Sequence, residues 1–300
     1  MQTSLDVLLG VGIGLLTAFL WGVSTNIYKS QSDEATPLAI NAIKMWLSGI
    51  VMTILVFLPF RTGPFNIPLI SIGFLIASVT IGLVIGDLVY LISQERIGVS
   101  HAFPIANIFP VTTYIIAIFL VGEELIITRF LGVIIAIIGI ALISNAQKTK
   151  NEEDIDFRTD FVGIGLALLA ALCWSLGSVF LQIGVEGTDP LDANFVRMVF
   201  GSFIMLPLFF GARQRGMPTP SKRSINIILV GSFLGMTLGS LLYTYAVNFV
   251  GAAVSSLLGS TAPLFALPIS IFILKERYTY QSVLGALLTV IGVILVVTAV

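Results

Sequence analysis

The sequence predicts an all-α integral membrane protein, with ten transmembrane helices arranged as two inverted five-helix repeats. Three observations predict it. The 300-residue chain is 57% apolar and only 10% charged, whereas a soluble domain carries about 25% charged residues; its mean hydropathy is +1.04. Ten apolar runs approach the ~20 residues that a helix needs to cross the hydrocarbon core. The second half also restates the first at a constant offset of 153 positions. Trp21 pairs with Trp174, Asn41 with Asn194, Lys44 with Arg197, Gly86 with Gly239, Tyr90 with Tyr243, Gly98 with Gly251, Pro110 with Pro263 and Glu123 with Glu276. A register kept over that length marks internal duplication. Five spans per copy reverse the second copy's orientation, the arrangement of many carriers that open alternately to two sides.

The first repeat is residues 1–147. Its spans are Leu5–Tyr28, Pro37–Phe60, Ile67–Ser93, Val99–Val121 and Ile126–Asn145. The start lacks a basic n-region and its apolar stretch is long, so it reads as a retained helix rather than a cleaved signal peptide. Residues 148–160 form a polar linker with mixed charges, a solvated tether by composition. The second repeat is residues 161–300. Its spans are Phe161–Gln182, Pro190–Gly211, Ile225–Val247, Ala252–Leu274 and Tyr280–Ala299. Barrel strands are excluded because they would alternate polar and apolar residues.

Charge and cysteine content narrow the function further. No basic patch with interleaved aromatics occurs, so nucleic acid is not expected. Cys173 is the single cysteine, which excludes an intramolecular disulfide and a thiol metal site. No cofactor and no metal are expected, and the partners expected are a small-molecule substrate and the lipid bilayer, with no protein partner required. Lys and Arg number 11 in the loops on the side of the 1–2 connection and 2 on the other. This bias places the first side in the cytoplasm and both termini outside it.

Polar groups within the hydrocarbon are costly and often functional. Counting from the span ends, Lys44 lies ~10 Å below its surface at 1.5 Å per residue. Trp21, Asp87 and Asn107 fall at nearly the same depth, with Tyr90 three residues from Asp87 on the same face. The inverted copy predicts a second layer near the opposite surface: Trp174, Arg197, Tyr243 and Ser260, with Gln182 nearer the end of its span. Asp87 corresponds to Ser240, so the first layer can neutralise itself and the second keeps a positive charge. Nine of these ten residues are the candidate substrate-binding set, and the tenth, Asp87, is the candidate for proton coupling. Plainer readings stay open beside these. Lys44 and Arg197 would also be satisfied by snorkelling to the interface, Lys44 and Asp87 by a structural ion pair, and the aromatics by packing or an interfacial belt. His101 reads as solvated or interfacial, and Glu123 and Glu276 as turn residues.

Gly82 and Gly86, repeated as Gly235 and Gly239, form small faces that let helices approach closely. Pro104 and Pro110, and Pro263 and Pro268, predict kinks in the fourth and ninth spans.

These features carry a family likeness. The openings FLWGVSTNIYK and ALCWSLGSVFLQ, and the arcs GDLVYLISQERIGVSHAFPI and GSLLYTYAVNFVGAAVSSLLGSTAPLFALPISIFILKER, resemble the drug/metabolite transporter superfamily, specifically its ten-helix EamA-type members. So do Glu123 and Glu276, each followed by a glycine-bearing last helix at Gly132 and Gly285. The resemblance covers nearly the whole chain. It implies a central cavity, substrates such as amino acids, small metabolites, nucleotide sugars or drugs, and frequent export. It also implies cytoplasmic termini, against the charge bias. Asp87 is an acid not expected throughout that superfamily.

The expectation is a secondary transporter in the cell membrane, exporting a small polar metabolite by alternating access, with an uncoupled facilitator of the same fold as the alternative. No G-x-x-x-x-G-K-[ST] motif provides for ATP. An intramembrane enzyme fits poorly. Val84 replaces the first glycine of a G-x-G-D motif, no second deep aspartate exists, and His101 is the lone histidine. A receptor would not require paired polar layers.

Overall fold

The computed structural model describes residues 4–58, 65–146, 160–265 and 280–299. All regular structure among them is helical. We label α1 Ser4–Lys29, α2 Pro37–Phe57, α3 Leu69–Ile97, α4 (two pieces, Val99–Ala106 and Phe109–Leu120), α5 Ile127–Ala146, α6 Phe161–Val185, α7 Pro190–Gln214, α8 residues 222–250, α9 from residue 252, and α10 Tyr280–Val297. Nine segments among the described residues are long and apolar enough to cross a membrane, with 222–260 taken as one. Most of the linker, Pro268 and Glu276 lie outside the described residues.

Helix starts follow local chemistry. Thr36 caps α2 by accepting from Ala39 N at 3.3 Å, and Asp189 caps α7 by accepting from Leu191 N at 2.8 Å. Each is followed by a proline, whose missing N–H costs nothing at a first turn. Asp160 caps α6 through Gly163 N at 2.8 Å and pairs with Arg96 at 3.0 Å. The Gly163 N–H, and then Arg96, hold its carboxyl below the usual carboxylate range.

The run 222–260 spans 39 residues, ~58 Å at 1.5 Å per residue, about twice the hydrocarbon core. It therefore has to turn, and it does so at Gly251, with φ 77° and ψ 170°. That backbone conformation is open to glycine and strained for other residues. Packing on α1 shows the reversal. Tyr28, Ser24 and Trp21 meet Gly231, Gly235 and Gly239 in antiparallel order, whereas Gly14 and Gly22 meet Leu258 and Ala262 in parallel order. Gly98, with φ 75°, makes the corresponding corner between α3 and α4.

Two π-helical stretches interrupt α3 at Val79–Gly86 and α8 at Phe233–Gly239. Such bulges widen a helix and often mark functional sites. Glycine lets α3 and α8 close on their neighbours: a Cβ on Gly82 would stand 3.2 Å from the Gly177 Cα, and one on Gly239 2.8 Å from the Trp21 indole nitrogen. The α5 and α10 helices pack antiparallel. Gly132 meets Gly292 and Gly139 meets Gly285, so closely that a Cβ on Gly139 would lie 2.5 Å from the Gly285 carbonyl oxygen.

The outer surface is apolar, with Leu69, Phe119, Phe57 and Leu287 exposed, while Asn41, Ser48, Ser175, Asn194 and Arg197 are buried. That polarity is the reverse of a soluble domain and suits a lipid surround. His101, expected at a solvated or interfacial position, is buried instead, with Nδ1 2.9 Å from the Ile97 carbonyl oxygen. The Gly98 corner packs the start of α4 against the end of α3.

Candidate functional site

The kinks in α4 and α9 build the centre of the molecule. The α4 helix breaks at Asn107, between Pro104 and Pro110, and α9 breaks at Thr261, just before Pro263. The two breaks meet, with Asn107 Nδ2 donating to the Ser260 carbonyl at 3.3 Å. Around this contact lies a cavity lined by residues from α1, α2, α3, α4, α6, α7, α8 and α9.

Nine of the ten residues singled out from the sequence line that cavity: Trp21, Lys44, Asp87, Tyr90, Asn107, Trp174, Arg197, Tyr243 and Ser260. Gln182 does not. It stands at the end of α6, where Oε1 accepts from Ala252 N at 2.6 Å. The Gly251 corner leaves that first amide of α9 without a helical partner, and the Gln182 amide supplies one. The expectation of two separate layers also needs correction, because they interlock. Two layers each ~10 Å deep in a core of about 30 Å leave only ~10 Å between them, and the side chains cross that gap.

Asp87 is the clearest case. Oδ2 accepts from Lys44 Nζ at 2.7 Å, and Oδ1 accepts from the Trp174 indole N–H at 2.9 Å. Lys44 Nζ also lies 5.2 Å from the Tyr28 ring centroid, within cation–π range. Trp174 packs between Tyr90 and Phe109, at 4.8 and 5.7 Å between centroids. The matching indole, Trp21, donates to the Gly235 carbonyl at 3.0 Å and packs on Tyr243 at 5.1 Å. The Tyr243 hydroxyl and Ser178 Oγ share a 2.8 Å hydrogen bond.

Arg197 has a different environment. It is 3% exposed. Its NH1 reaches Thr244 Oγ1 at 3.1 Å, Asn194 Oδ1 at 3.4 Å and Ser240 Oγ at 3.5 Å, all neutral acceptors. Its buried Nε has no hydrogen-bond partner. Ser240, where the first half has Asp87, supplies no charge. The cavity therefore holds one neutralised cation and one cation whose bound acceptors are all neutral. A buried charge left in that condition is costly, and an anionic ligand group would relieve it.

The cavity extends toward one end of the bundle. Its lining reaches Thr25 and Tyr28 near the end of α1, Gln94 near the end of α3 and Phe103 near the start of α4. At the other end, the equivalents of Tyr28, Gln94 and Phe103, which are Leu181, Val247 and Ser256, are buried and do not line it, whereas Ser178, the equivalent of Thr25, does. Sequence reasoning missed Tyr28, Gln94 and Ser178 as lining residues. Only Tyr28 carried a signal, as an aromatic at the inner edge of a span.

A bundle of membrane-length helices folded around a mostly apolar cavity that holds a few charged and polar side chains is the architecture of a multi-pass membrane protein. The model of the EamA-like transporter family matches residues 8–145 and again 161–298. The chain belongs to this family, within the drug/metabolite transporter superfamily. It is similar to an uncharacterized transporter of Archaeoglobus fulgidus, 24% identical over 96% of this chain and 98% of that protein. It is also similar to human solute carrier family 35 member G1, 29% identical over 50% of this chain and 40% of that protein. One crystal structure shares the fold, with a TM-score of 0.76 at 14% identity over 96% of both chains.

Proposed function

We propose that the protein is a secondary carrier of the cell membrane that exports a small polar metabolite, amino-acid-like or another organic anion or zwitterion, by alternating access. The observation that carries this reading is Arg197, a buried cation in the cavity held only by neutral acceptors. In this reading, Arg197 takes the anionic group of the substrate. Trp21, Tyr90, Trp174 and Tyr243 contact its body, while Asn107 and Ser260 line the floor. Lys44 is tied to Asp87, and Asp87 is the candidate for proton coupling.

The moving parts are two inverted five-helix repeats, residues 1–147 and 161–300. Contacts between equivalent positions support that arrangement: Asn107 with Ser260, and Gly49 with Ser202. The excess of Lys and Arg, 11 against 2, assigns the α1–α2 side to the cytoplasm. The cavity extends toward that side, as loading for export requires.

The test compares metabolites released by intact cells carrying wild type, Lys44→Ala or no transporter, at equal membrane abundance. A small set of anionic or zwitterionic compounds released only by wild type, and lost on collapsing the proton gradient, supports the full reading. Release that survives the collapse identifies an uncoupled facilitator. No difference from empty cells counts against export.

A further inference from the structure

The closed end of the cavity carries a second polar cluster that substrate binding does not use. Glu123, in the connection between α4 and α5, pairs with Arg129 at 3.6 Å, with Arg129 buried and Glu123 half-buried. Arg129 donates to the Ala299 carbonyl at 2.7 Å and lies over the Tyr114 ring. The Tyr114 hydroxyl accepts from Ile126 N at 2.9 Å and donates to the Glu124 carbonyl at 2.8 Å, fixing that connection.

The cluster bears on the Gly251 corner. A Cβ placed on Gly251 would come within 3.3 Å of Glu123 Oε1 and 3.5 Å of Gln182 Oε1. Gln182 in turn holds Ala252 N. Beneath it, Ala117, Val179 and Ala252 form an apolar plug. Four elements therefore converge where the cavity is shut: the α4–α5 connection, α5, the end of α6 and the α8–α9 corner.

The chemistry of the cluster is that of a contact built to open. Glu123 Oε2 and Arg129 Nε are buried without hydrogen-bond partners. A largely buried ion pair with unmet hydrogen-bonding capacity contributes little net stability, and the best-attested use of such pairs is to bias a switch. Burial holds the Glu123 carboxyl above the usual carboxylate range, against the opposing effect of Arg129. At the equivalent positions of the open end, Gln182 is replaced by Lys29 and Val179 by Asn26, both exposed.

We propose that Glu123, with Arg129 and Gln182, is a latch that clamps the Gly251 corner and keeps the far end of the cavity closed while the α1 end is open. This rests on the alternating-access reading above. Releasing the latch frees the corner to swing, opening the far end and closing the near one. Glu123 and Gln182 are positioning residues that set which side the cavity faces.

Accessibility of the two ends tests this without knowledge of the substrate. Single cysteines are placed at Ala117 under the latch and at Asn26 at the open end, each with Cys173→Ser. Labelling by a polar maleimide is timed on the purified full-length protein. Glu123→Gln is expected to speed labelling at position 117 about tenfold, the equilibrium shift from losing one charge-assisted contact, and to slow it at position 26. Gln182→Ala, which spares the ion pair, should move both rates the same way and guards against misfolding of the first variant. Rates that stay unchanged in both variants, or that rise together at both ends, would overturn the latch. Opposite shifts without any measured transport would leave the latch standing and count against the transport reading instead.

Discussion

Positions 44 and 87 in the first half and 197 and 240 in the second are the same two places in a repeated sequence, but their electrostatics differ. Lys44 has Asp87 at 2.7 Å and Arg197 has Ser240 at 3.5 Å. The first pair is internally neutral and further held by Trp174. The second leaves a guanidinium whose hydrogen-bond acceptors are all neutral. The two halves carry equivalent cages that differ by a single acid-for-hydroxyl replacement, Asp87 against Ser240, and the proposed anionic guest belongs to the second.

The largest effect should come from Asp87→Ala. It strands Lys44 and deprives Trp174 of its acceptor, so thermal unfolding of the purified protein should report a loss of about 3–5 kcal/mol, the usual cost of breaking a buried pair from one side. The double variant Lys44→Met with Asp87→Leu should recover most of it. A single variant as stable as wild type would erase the distinction between the two cages.

The indoles sharpen the comparison. Trp174 donates to a carboxylate and Trp21 to a neutral carbonyl. Trp174→Phe should therefore cost about 1.5–3 kcal/mol and Trp21→Phe about 0.5–1.5, measured by unfolding under identical conditions. Equal losses would mean that the Asp87 charge does not reach its indole partner.

Packing should be the same where charge is not. A Cβ on Gly86 would stand 3.0 Å from Trp174, and one on Gly239 2.8 Å from Trp21. Gly86→Ala and Gly239→Ala should each cost about 1–3 kcal/mol through overpacking. The difference between them should be the smallest of the effects considered. A large one would show that the halves differ in shape as well as in charge.

The contrast also shows how far the sequence reaches. Hydropathy made the membrane helices legible because crossing lipid requires unbroken apolar length. Depth was legible too, since residue counts from a span's end give distance along a helix axis, and the polar side chains counted to the central depths line one cavity. Direction around the axis was less so. The π-helical stretches at Val79–Gly86 and Phe233–Gly239 shift side chains around the helix, and nothing in their composition announces them. Gln182 lay at a reasonable depth but was captured by Ala252 N, because the Gly251 corner strands a backbone amide there. Glu123 read as a turn residue, since its partner Arg129 lies across a connection whose fold is set by Tyr114.

The central claim is that Arg197 binds the anionic group because no acid answers it. The most direct measurement is export by Ser240→Asp, which gives Arg197 the counterion that Lys44 already has. With the variant folded and present at wild-type abundance, the account predicts that release of the anionic metabolites collapses toward the level of cells lacking the transporter. Release at the wild-type rate would contradict it and leave Arg197 a structural charge.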